Sequence, residues 1–140
     1  MDRAALDVAL ELCIACGGWC PRGRLAEDGP IDPRYPLRET PSADYAQRTE
    51  WNVRDSDGTL ILTRGRPTGG TAQTVDYAQQ LGKPYLVVDL AQPADPRAVR
   101  AWLARKNIHI LNVAGPRESK APGIAQEARA WLRMPFSKES

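Results

Sequence analysis

The chain has 140 residues, 42% of them hydrophobic and 26% charged, with 19 Lys and Arg set against 17 Asp and Glu. That composition belongs to one folded domain rather than a disordered chain, and a net charge of +2 without a run of five like charges gives no footprint for nucleic acid. No stretch approaches the roughly 18 apolar residues of a membrane span, no secretory pattern opens the chain at Met1–Leu6, and an odd count of three cysteines argues for a reducing, cytoplasmic setting rather than a disulfide framework.

The chain opens on a helix, with Leu6, Ala9, Leu10 and Cys13 forming an apolar stripe and Asp7 and Glu11 off it. Ile14–Trp19 reads as a short strand containing Gly17 and Gly18. Residues 20–41 are rich in proline and show no periodicity, so they read as a long ordered loop of the kind that is usually functional. Ser42 is a candidate N-cap, with Asp44 in the first turn, for a helix running to about Arg54 with Tyr45, Thr49 and Val53 on one side.

Asp57-Gly58 is a turn, and Thr59–Thr63 is a continuous apolar run bounded by breakers, hence a buried strand. A loop, Arg64–Thr68, leads to a helix over about Gly70–Leu81 with Ala72, Val75 and Ala78 inward, ended by Gly82. Pro84–Leu90 reads as a fully buried strand. Asp95 followed by Pro96 is an N-cap with proline at the first helical position, opening a helix to about Lys106 that buries Val99, Trp102 and Leu103. Ile108–Val113 is the last strand. The final helix, about Pro122–Leu132, turns Ile124, Ala128, Trp131 and Leu132 inward; residues 1–134 are read as one domain and 135–140 as a polar tail.

Helices and strands therefore alternate, and the strands are apolar throughout rather than on alternate residues. That combination predicts a Rossmann-like α/β fold, a three-layer α/β/α sandwich with a mainly parallel sheet.

Ligands in such sheets bind beyond the carboxyl ends of the strands, and two exits carry suitable chemistry. The first runs Thr63-Arg64-Gly65-Arg66-Pro67-Thr68-Gly69-Gly70-Thr71. Paired glycines allow close backbone approach, the helix start offers free N–H groups to an anion, and Thr68, Thr71 and a guanidinium from Arg64 or Arg66 can complete the site. It matches neither a Walker A loop nor a G-x-G-x-x-G fingerprint, and a plain flexible helix start is the competing reading. The second exit, Asn112 through Gly115, Arg117, Glu118 and Ser119 to Lys120, offers a glycine, a guanidinium and a hydroxyl, or else an ordinary charged loop capped by Ser119. Adjacent parallel strands would bring the two together.

Cys13, Cys16 and Cys20 lack a fourth partner for a closed metal site, and His109, the single histidine, lies far along the chain, so no metal site is expected. Trp102 and Trp131 are core by periodicity. Trp19, beside glycines at a strand exit, is a candidate to stack on a flat ligand. Asp89 can accept a ribose hydroxyl or cap the following turn. No Ser-His-Asp set or paired-carboxylate motif is present.

Five segments in order, Gly17–Arg24, Ala26–Ile31, Tyr45–Val53, Thr68–Thr71 and Asn112–Ser119, resemble the bacterial "putative molybdenum carrier" family, a circularly permuted branch of the Rossmann-like SLOG superfamily. The similarity extends to about Leu132. It implies a carrier of molybdenum or of the molybdenum cofactor, a pterin with a terminal phosphate. The wider superfamily includes phosphoribohydrolases with a P-G-G-x-G-T-x-x-E motif; here Ala72, Gln73 and Asp76 stand where the later Gly, Thr and Glu would be, which speaks against hydrolysis. Family members begin with a strand and a Gly-Gly-Gln-Thr-Gly turn ahead of the helix matched by Asp2–Leu10. The resemblance therefore implies that this strand and turn are absent from the sequence as it stands, through a misassigned start, a trimmed chain or a true loss. If that strand is central, a sheet edge is left for self-association to cover, and a form extended upstream is expected to be more stable and to bind more tightly.

The combined reading is a binding or carrier module for a phosphorylated, nucleotide-like ligand, expected to be a homo-oligomer without nucleic-acid or membrane partners. A nucleotide hydrolase using Asp76 and a homologue that no longer binds ligand are the alternatives.

Overall fold

The computed structural model describes residues 2–11, 17–20, 25–26, 29–30, 37–41, 45–92, 95–116 and 121–136. In chain order these form α1 (Asp2–Glu11), β1 (Gly18–Cys20), β2 (Leu25–Ala26), β3 (Gly29–Pro30), β4 (Leu37–Glu39), α2 (Tyr45–Arg54), β5 (Gly58–Thr63), α3 (Gly69–Gln80), β6 (Tyr85–Asp89), α4 (Pro96–Arg105), β7 (Leu111–Ala114) and α5 (Ile124–Phe136).

The main sheet is parallel, in the order β6-β5-β7. β5 is its centre and is buried along its whole length. It pairs with β6 from Thr59↔Tyr85 to Thr63↔Asp89, and with β7 from Gly58↔Leu111 to Ile61↔Ala114. Two small sheets lie outside it: β1 pairs with β4 in parallel, and β2 with β3 in antiparallel fashion. Among its described residues, the proline-rich stretch expected as a loop thus contains three short strands. Runs of two or three residues are too brief to leave a periodic signal.

Side-chain alternation gives the sheet two unlike faces. On one, Leu60, Leu62, Leu86, Val88, Leu111 and Val113 meet Ala4 and Val8 of α1, Val99 and Trp102 of α4, and Ala128, Trp131 and Leu132 of α5. At about 25 cal/mol per Å² of apolar surface removed from water, this cluster is the main source of stability. The other face carries Thr59, Ile61 and Thr63, all buried, and α3 packs over β5 there with α2 beside it. Helices on both faces give the expected three layers.

Several expected burials are shifted. In α1, Ala4, Leu6 and Val8 are buried while Ala9 is only half-buried; docking against α5 sets the face, and Asp7 at its side receives Arg129 Nε at 3.0 Å. Leu10's side chain and Cys13 lie outside the described residues. In α3, Thr71 and Thr74 are buried and Ala72 and Val75 half-buried. Thr74 Oγ1 donates to Gly70 O at 3.0 Å, which satisfies its polar atom inside the helix and leaves its methyl to pack. β6, expected to be fully buried, leaves Val87 38% exposed, since on its outer side it has no strand partner among the described residues.

The last strand begins three residues later than expected. The N–H groups of His109 and Ile110 donate to Asp57 Oδ2 at 3.0 and 2.9 Å and so do not join the ladder. At the other end, α5 runs on to Phe136, past the expected frayed point. Arg100 explains this: its Nε and Nη2 donate to Pro135 O and Met134 O at 2.7 and 2.9 Å, closing carbonyls that a helix end leaves open. Asp95 caps α4 as read, accepting from Arg97 N at 2.9 Å. Ser42 and Asp44 lie outside the described residues.

Candidate functional site

The three strands of the main sheet deliver their exits to one end of the molecule, and side chains tie those exits together. β5 leaves the sheet at Thr63. Thr63 is in register with Asp89 of β6, whose Oδ1 accepts from Gly65 N at 2.8 Å and from Ala91 N at 2.9 Å. Of the two readings open for Asp89, the structure shows the turn-holding one. Beyond β7, the chain returns through Ala121–Gly123 into α5, and Arg64 crosses to it. Arg64 Nη1 donates to Pro122 O at 2.7 Å and Nη2 to Glu127 Oε2 at 2.9 Å. One loop is therefore held on one side by β6 and on the other by the start of α5.

The loop ends at the paired glycines Gly69 and Gly70, where α3 begins. Thr68 is extended (φ −136°) and its side chain makes no capping bond. Gly69 has φ +55°, and Gly70 continues into the helix. A left-handed residue followed by a right-handed one turns successive N–H groups toward a common point, a concavity suited to an anion. The positive end of the α3 dipole adds to it. Both glycines are exposed, and a Cβ on either would meet nothing within 4 Å. The turn is open to a ligand.

The other expected residues are distributed unevenly around this turn. Arg64 and Gly65 are in the loop, but Arg64 is already bonded to Glu127 and Pro122. Arg66 is exposed and makes no hydrogen bond or ion pair among the described residues. Thr71 is 5% exposed and turns inward with Thr74 and Ala78. Asn112 is not brought to the turn: it sits opposite Thr59, donates to Thr59 Oγ1 at 3.3 Å, and is four residues, or about 13 Å of strand, short of the level of Thr63. Gly115 follows β7 at the correct end and is half-buried. Arg117, Glu118 and Ser119 lie outside the described residues, as does the side chain of Trp19.

Asp76 is exposed on the same outer side of α3 as Gln73 and Gln80, opposite the buried Thr71, Thr74 and Ala78. A hydrolase mechanism that needs its carboxylate at the turn has no support from this placement. His109 is a surface residue, its Nε2 at 3.1 Å from Asn107 Oδ1. Among the described residues, no group of three or more His, Cys, Asp or Glu is placed to hold a metal, and no helix is long and apolar enough to cross a membrane.

Glu127 was not anticipated. It lies 63 residues from Arg64, with no local pattern to join them. An acidic residue in the first turn of α5 was the available signal, and it reads equally well as a dipole partner.

Comparison with known proteins agrees with this architecture. No curated protein matches the chain. The crystal structure of a protein named "putative molybdenum carrier protein", from Syntrophus aciditrophicus SB, superimposes with a TM-score of 0.93 at 45% sequence identity, covering 97% of this chain and 88% of that one. The model of the circularly permutated YpsA SLOG family matches residues 1–136. With nearly the whole length matched by both sequence pattern and fold, the chain belongs to the circularly permutated YpsA SLOG family.

Proposed function

We propose that this protein binds and carries a phosphorylated, nucleotide-like small molecule, with the molybdenum cofactor as the candidate cargo. The observation that carries the reading is the open Gly69–Gly70 turn at the start of α3, where the backbone itself offers N–H donors to an anion. The Arg64–Thr68 loop supplies cationic charge at its rim. The second exit, from Gly115 through Arg117 and Ser119, is the natural place for further contacts, because Arg64 ties the first loop to the segment that follows it. The name of the Syntrophus protein supports a carrier role, and a terminal phosphate on a pterin is a group the turn can hold.

Native mass spectrometry of freshly purified protein tests the reading. A retained phosphorylated molecule is expected, and its exact mass separates a pterin from a nucleotide. Protein that carries nothing, and takes up neither a pterin phosphate nor a nucleotide when offered one, contradicts it and favours a homologue without a ligand.

A further inference from the structure

We propose that, of the two arginines in the β5 exit loop, Arg64 is a positioning residue rather than the anion's partner, and Arg66 is the one that meets the anion. This rests on the reading of Gly69–Gly70 as an anion cradle, and it assigns different work to two arginines that look equivalent in the sequence.

The placement of Arg64 is set from several directions. Its Nη2 faces the Glu127 carboxylate at 2.9 Å and its Nη1 the Pro122 carbonyl at 2.7 Å. An anion brought to this guanidinium would sit beside an existing negative charge and an oriented carbonyl oxygen, and both repel it. The route is also shaped to fit: a Cβ on Gly123 would lie 3.4 Å from Arg64 Nη2, so the small residue leaves room for the guanidinium. The next residue is fixed as well, since Gly65 donates to Asp89 and adopts φ +76°.

An exposed ion pair of this type contributes only about 0–1 kcal/mol to stability. Its value is geometric: it couples the β5 exit to the start of α5, so that the loop entering Gly69 has one shape. Arg66 lies beyond this fixed point, three residues before Gly69, exposed and with its donors unclaimed by any described residue. A charge-assisted bond from such a donor is the stronger kind.

The two roles differ in sign at Glu127. If Arg64 met the anion, removing the competing carboxylate would strengthen binding. If Arg64 positions the loop, Glu127→Gln weakens binding just as Arg64→Gln does. Titration with inorganic phosphate, followed by amide NMR on the full chain, is the experiment. Arg64→Gln and Glu127→Gln are each expected to weaken binding about threefold to tenfold, with the double variant no worse than either, the non-additivity of a shared contact. Arg66→Gln is expected to cost about tenfold or more and to flatten the salt dependence, which Arg64→Gln leaves unchanged.

Tighter phosphate binding by Glu127→Gln, or unchanged binding by Arg66→Gln, overturns the assignment. Hydrogen exchange at the Gly65 amide, which is held by Asp89, keeps the two parts separable. Faster exchange in both Arg64→Gln and Glu127→Gln supports the positioning role, and unchanged rates overturn it. Absence of phosphate binding by the unsubstituted chain overturns the cradle and the role of Arg66 together.

Discussion

Asp57 shows how one carboxylate can fix a junction between elements. It follows α2, accepts from the N–H groups of Ile110 and His109, and donates its own N–H to Ile110 O at 2.8 Å. The bonds from Ile110 and then His109 favour the ionised form and hold its pKa below the usual carboxylate value. A folded-state pKa that is lowered contributes stability above the unfolded value, and that contribution is lost as pH falls through the folded one. Asp57→Asn is therefore expected to lower Tm at neutral pH. The gap from the unsubstituted chain should close as pH drops below about 4, the ordinary carboxylate range, in a series of thermal melts. A gap that stays constant across that range would show that the charge is not involved. Asp57 reads in the sequence only as half of an Asp-Gly turn, because its partners lie more than fifty positions away.

The helices and the central strand were legible because their signals are local. The Asp95-Pro96 start, the buried run of β5 and the inward face of α5 at Ile124, Ala128, Trp131 and Leu132 all appear as read. What local patterns missed was decided by tertiary partners. His109 and Ile110 were drawn off the ladder by Asp57 and Ile108 by the Leu103 carbonyl, and the last turn of α5 was kept by Arg100. Arg100→Ala should therefore fray that turn, at a cost of about 1–3 kcal/mol for two bonds to carbonyl oxygens. The expected signature is faster hydrogen exchange near the end of α5 together with a lower midpoint in urea. Unchanged exchange there would mean that the helix end holds itself.

At the scale of the molecule, the alternation of helices and apolar strands was enough to place the candidate site at the carboxyl end of a parallel sheet, and Thr68–Thr71 is found there. The second exit was legible only in part: Gly115 is at the correct end and Asn112 is not, since residue type does not reveal how far along its strand a side chain sits. The sheet also has an edge at β6 with no strand partner among the described residues, and Val87 and Leu81 are exposed, at 38% and 40%. Edges of this kind invite pairing or cover. Light scattering is expected to give a mass above the 15.4 kDa of one chain, and a strictly monomeric value at micromolar concentration would contradict self-association.

An anion cradle at the start of α3 must respond to inorganic phosphate at its own amides. Its most direct test is a phosphate titration of the 140-residue chain observed through backbone amide resonances. Saturable shifts centred on Gly69 and Gly70, and absent from the far end of the sheet around Asn107–Ile110, are the expected result. Shifts that never saturate, or that centre elsewhere, would contradict it.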